Sequence, residues 1–128
     1  MGDTYHYNIP GIVIHISHIL VGLWLVYIGY IKITDKKLEE VHYKILWILG
    51  IVLFLYFLSI TYKNLGKSWN YAFGIPNYVI FSTHLFNAIL FILLGLKYIT
   101  ISNIISLYLI VSGSLAGLYH AHLMLVQH

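Results

Sequence analysis

Five histidines fall inside long apolar stretches of this chain: His15, His18, His84, His120 and His122. An imidazole buried in hydrocarbon suits a short list of tasks. It ligates Zn, Cu, Ni or haem iron, or it passes protons near neutral pH. Ionisable side chains are costly inside a bilayer and mark functional sites more often than packing does. The competing chemistry is thin. The chain has no cysteine, which removes disulfides, thiolate metal sites, iron–sulfur clusters and cysteine catalysis. Its four acids, Asp3, Asp35, Glu39 and Glu40, all lie outside the apolar stretches. A di-iron carboxylate centre needs Glu from facing helices, so that class is disfavoured, as is a carboxylate-driven ion pump. Hydrolysis is disfavoured too. Ser17, Ser82 and Ser114 lie near histidines, but no intramembrane acid orients a His base, and such serines usually bond their own helix backbone.

The elements that carry these residues are membrane spans. Of the 128 residues 60% are hydrophobic and 9% charged, with a mean hydropathy of +0.85. Soluble domains carry about 25% charged residues. A span takes roughly 20 apolar residues, so the length accommodates about four. The expected architecture is an all-α integral membrane four-helix bundle, a single transmembrane domain over residues 1–128, with spans near 9–31, 41–62, 76–98 and 104–126. The amino-terminal residues lack a basic n-region, so the first apolar segment reads as a retained span. Lys32, Lys36, Lys37, Lys44 and Lys97 gather on one side of this topology, against Lys63 and Lys67 on the other. The positive-inside rule then puts both termini on the extracytoplasmic side. The lysines sit in connections rather than on one face, and arginine is absent, so nucleic-acid binding is not expected.

The starts of spans one and three repeat. Ile9-Pro10-Gly11-Ile12-Val13-Ile14-His15-Ile16-Ser17-His18 lies over Ile75-Pro76-Asn77-Tyr78-Val79-Ile80-Phe81-Ser82-Thr83-His84, and the same offset pairs Gly22 with Ala88 and Gly29 with Gly95. Each span thus carries a His, a small residue four later and a glycine eleven later, all on one helix face. Two helical hairpins of common origin are expected, with spans one and three parallel. Spans two and four resemble each other much less.

This topology gathers the histidines in one layer. His18 and His84 lie about 12 Å inside their prolines at the helical rise. His15 lies one turn shallower, and His120 and His122 lie near the outer end of span four. Gly113, Gly117 and His120 form one stripe, so His120 is expected to face a close neighbouring helix, and His122 to point away. His6, His42 and His128 are expected to be solvated. Each buried His taken singly reads as packing glue bonded to a nearby hydroxyl or carbonyl. Two in equivalent positions, with His120 and His15 near, point to a ligand or relay role. His18 and His84 are the leading pair for a b-type haem, with His120 as substitute and Gly22 and Ala88 leaving room for the macrocycle. Zn or Cu held by His18, His84, His120 and His15 is the alternative.

The stretches Ser17-His18-Ile19-Leu20-Val21-Gly22 and Gly117-Leu118-Tyr119-His120-Ala121-His122-Leu123 resemble helices of small membrane-anchored b-type cytochromes, including the anchor subunits of succinate dehydrogenase. The family's Arg after the first His is Ile19 here, and its terminal Asp has no counterpart. The resemblance implies haem b, electron transfer, partner membrane subunits and a quinone. Three functions therefore stand open: a haem-binding electron-transfer subunit, a His-lined proton or metal transporter or sensor, and a structural subunit of a membrane complex or homo-oligomer. A binding or electron-transfer subunit is favoured over a stand-alone enzyme.

Overall fold

A computed structural model describes residues 9–127; His6 and His128 lie outside them. The described residues are all-α. Four helices follow in order: α1 (Gly11–Ile33), α2 (Glu40–Lys63), α3 (Asn77–Gly95) and α4 (Asn103–Gln127), with a short 3-10 turn at Ala72–Gly74. Each is long and apolar enough to cross a bilayer. The chain is a multi-pass integral membrane protein. Away from its packed face each helix exposes large apolar side chains, for example Leu20, Leu23, Leu55, Phe86 and Leu115. Hydrocarbon contact makes that arrangement stable where water would not.

Helix ends follow local chemistry. Pro10 and Pro76 directly precede α1 and α3, where a missing N–H costs nothing. The Pro10 carbonyl accepts from the Val13 and Ile14 amides, and the Pro76 carbonyl accepts from Val79 and Ile80. The carboxyl end of α3 comes sooner than the span expected to residue 98. Lys97 turns left-handed at φ 63°, and the Tyr98 amide reaches back to the Leu93 carbonyl. That six-residue closure satisfies a terminal carbonyl and stops the helix. The same closure ends α1, where Asp35 has φ 58° and the Lys36 amide bonds the Ile31 carbonyl.

The helices form two compact units, α1 packed with α4 and α2 packed with α3. Each unit therefore takes one helix from each half of the chain, and its helices run antiparallel. In the first, Gly22 meets the backbone of Gly113, and Gly29 meets Ser106 and Ile110. A Cβ added at Gly22 would stand 2.5 Å from the Gly113 carbonyl oxygen, closer than any side chain tolerates. In the second, Gly50 meets the backbone of Ala88, and Gly95 meets Tyr43 and Trp47. Small residues are what let two membrane helices approach this closely.

The two units share one register. Adding 66 to Gly22, Leu25, Ile28 and Gly29 gives Ala88, Phe91, Leu94 and Gly95, and all eight are buried. Adding 63 to Tyr43, Leu46, Trp47 and Gly50 gives Ser106, Leu109, Ile110 and Gly113. Leu46 and Leu109 are both fully buried, and the other three of each set make the helix contacts just named. The repeat read in α1 and α3 thus extends to α2 and α4, whose sequences show little of it.

Candidate functional site

The first unit collects three imidazoles. His15 and His18 stand three residues apart on α1, and so on one helix face. His120 on α4 continues the stripe of Gly113, at the helix contact. The Nδ1 atoms of His15 and His120 lie 2.9 Å apart, a hydrogen-bond distance. A neutral pair at that distance holds one hydrogen between the two nitrogens, with one ring donating and the other accepting. The His18 ring stacks on His120, centroids 4.0 Å apart and planes 26° from parallel. The centroids of His15 and His120 lie 5.2 Å apart. His15 is buried; His18 and His120 are half-buried.

His18 has a fixed tautomer. Its Nδ1 lies 2.7 Å from the Ile14 carbonyl oxygen, which only accepts, so Nδ1 carries the hydrogen and the neutral ring keeps its lone pair on Nε2. The Ser17 hydroxyl donates to the same carbonyl at 2.8 Å. Tyr119 stands edge-on to His120, 5.4 Å away and 88° from its plane.

The second unit repeats this geometry with different rings. Nδ1 of His84 donates to the Ile80 carbonyl at 2.7 Å, as His18 does one repeat earlier. Its ring stacks on Phe57, at 4.1 Å and 24°. Tyr56 stands edge-on to Phe57, at 5.3 Å and 82°. Phe57 is the counterpart of His120 and Phe81 the counterpart of His15. Phe57 and Phe81 belong, with Ile60, to one buried apolar cluster. One position in three is imidazole here, against three in three in the first unit.

His15, His18 and His120 are thus brought together, and His15, one turn before His18 on α1, is a direct partner of His120. His84 belongs to the other unit, with Phe57 as its ring partner. His120 faces the close helix neighbour that its glycine stripe implied, and His122 is exposed. His42, expected to be solvated, is half-buried. Gly22 and Ala88, expected to leave room for a macrocycle, are instead filled by the backbones of Gly113 and Gly50. The space beside them is a helix–helix contact. Among the described residues, no group of three or more His, Asp or Glu side chains has the arrangement to hold a metal ion.

Sequence reasoning missed Phe57 and Phe81 as members of the pattern. The signal was present in Phe81, which lies opposite His15 in the repeat, and was absent from α2, where Gly50 is one small residue among many apolar ones. Comparison of the chain with protein-family models, with curated proteins and with solved structures found no match.

Proposed function

We propose that this membrane protein transfers protons through the imidazole cluster of α1 and α4. The observation that carries the reading is the 2.9 Å contact between Nδ1 of His15 and Nδ1 of His120. A proton arriving at Nε2 of the donating ring makes it an imidazolium. Its Nδ1 hydrogen then crosses to the facing Nδ1, and the second ring releases the hydrogen held on its own Nε2. One proton enters and one leaves, and the two tautomers exchange. His18 supports this step with its stacked face: its fixed Nδ1–H keeps lone-pair density at Nε2, and its π-face lies against the ring that becomes cationic. The phenylalanines of the second unit support the reading further, because they fill the same places without polar atoms. Packing alone does not ask for imidazole at 15 and 120.

Proteoliposomes loaded with a pH-sensitive dye test the proposal. An imposed potential should drive proton uptake in the full chain and not in His120→Phe. Equal uptake by the two proteins would sink it.

A second reading, ligation of b haem, is favoured by the Nδ1–H bond of His18 to the Ile14 carbonyl. That bond is the usual support of a metal-ligating imidazole, and it aims Nε2 at the iron. Ligated haem would supply one-electron redox chemistry. An absorption spectrum of purified protein decides this reading: a Soret band lost in His18→Ala supports it, and a colourless protein that ignores added haem ends it.

A further inference from the structure

The connection from α2 to α3 is built more firmly than a link between two spans requires. Asn77, buried at the start of α3, braces it from inside. Its side-chain amide donates to the Lys67 carbonyl at 3.2 Å, and its side-chain oxygen accepts from the Trp69 amide at 3.4 Å. Its backbone amide donates to the Trp69 carbonyl at 2.9 Å. Trp69 stands edge-on to Phe81, 5.7 Å away. The Tyr71 amide closes the tip on the Ile75 carbonyl at 2.7 Å. Within that tip Phe73 is held at φ 63°, a region bulky residues avoid, with its side chain 76% exposed.

The ends of two apolar spans set this connection at headgroup depth, where aromatic side chains concentrate. Beneath the loop lies a groove. Thr61, Asn64, Lys67 and Ser82 give it polar groups, and Leu65 and Leu85 give it apolar walls. Asn64 is itself spoken for, its amide capping α2 by donating to the Ile60 carbonyl at 2.8 Å. The charge is one-sided: Lys67 lines the groove, Lys63 ends α2, and no acid occurs anywhere after Glu40.

We infer that this groove binds the headgroup of an anionic phospholipid, with the phosphate at Lys67 and Ser82 and an acyl chain along Leu65 and Leu85. A zwitterionic lipid brings a cation that would want a carboxylate, and this part of the chain has none. A free phosphate would leave the apolar walls unused. The braced backbone fixes Lys67 before the lipid arrives, and exposed Phe73 anchors the loop among the acyl chains.

The test titrates purified full-length protein in a non-ionic detergent with dioctanoyl phosphatidylglycerol, dioctanoyl phosphatidylcholine and inorganic phosphate, reading bound lipid by native mass spectrometry. The glycerol lipid should bind about five-fold or more tightly than the choline lipid, the worth of one lysine at a membrane surface. Lys67→Glu should remove that preference, Lys67→Arg should keep it, and Lys36→Glu in the other connection should leave it unchanged. Unaltered melting curves for the three variants establish that each is folded. Equal binding of the two lipids overturns the inference, as does a preference that survives Lys67→Glu. Displacement of the glycerol lipid by equimolar phosphate would make the groove a plain anion site. Dimerisation lost in Lys67→Glu would assign it to a second copy of the chain.

Discussion

The two helix pairs are the same device built twice with different rings. In one, His18 stacks on His120 at 4.0 Å; in the other, His84 stacks on Phe57 at 4.1 Å. Both histidines give their Nδ1–H to a carbonyl one turn back, and both stacked rings have a tyrosine standing edge-on. The pairs differ at two places, where His15 and His120 stand against Phe81 and Phe57. Phenylalanine meets the packing demands of this scaffold, as the second pair demonstrates. The imidazoles of the first pair add a polar contact that the phenylalanines of the second do without, and the second pair offers a comparison within the same molecule.

Exchanging rings between the pairs probes this directly. His15→Phe with His120→Phe should turn the first pair into a copy of the second. Proton uptake into proteoliposomes is expected to fall about 100-fold, the scale of a lost acid–base group, while melting in detergent stays near that of the parent. A collapse of melting with the flux would mean that the imidazoles are structural after all. Next in size is Gly22→Leu, which drives a side chain into the Gly113 carbonyl and should cost about 3 kcal/mol of stability by overpacking. Gly50→Leu should cost a similar amount against Ala88, and a large disparity would show that the shared register carries unequal weight. The reverse exchange, Phe57→His with Phe81→His, should cost about 2 kcal/mol by placing polar atoms in an apolar cluster. It should also create a second N–H···N coupling in ¹⁵N-histidine spectra, where one between His15 and His120 is expected for the parent; one coupling in both proteins would deny the second scaffold its equivalence. The smallest effect is expected for His84→Leu, about 1 kcal/mol for one hydrogen bond and no change in proton uptake.

Much of this was legible in the sequence, for reasons that also mark where legibility stopped. The spans stood out because apolar runs of that length have few other uses, and α3 ended early only because Lys97 accepts a left-handed turn that composition does not announce. The repeat in α1 and α3 was visible through Pro10, His18 and Gly29, residues that a hydrophobic background does not produce by accident. Its continuation in α2 and α4 was hidden, since Leu46 and Gly50 become significant only once the helix each packs against is known. The stripe through Gly113 correctly aimed His120 at a neighbour. Gly22 and Ala88 were ambiguous, because a small side chain opens space without recording what fills it, and here each meets the backbone of a neighbouring helix. His15 was undervalued for a related reason: helical rise gives depth along one helix, whereas its closeness to His120 depends on how α4 slides against α1.

The pairing of α1 with α4 also orders the protein's manufacture. Helices α2 and α3 are near neighbours in the chain, so their contacts close a short loop and can form as soon as α3 has entered the membrane. Those of α1 span the sequence from Gly22 to Gly113, and long loops close later. During synthesis α1 waits through two further insertions before its partner exists. The phenylalanine copy is therefore complete first. The imidazole pair comes into being only with the last helix, so a nascent chain holds one complete pair before His15 meets His120.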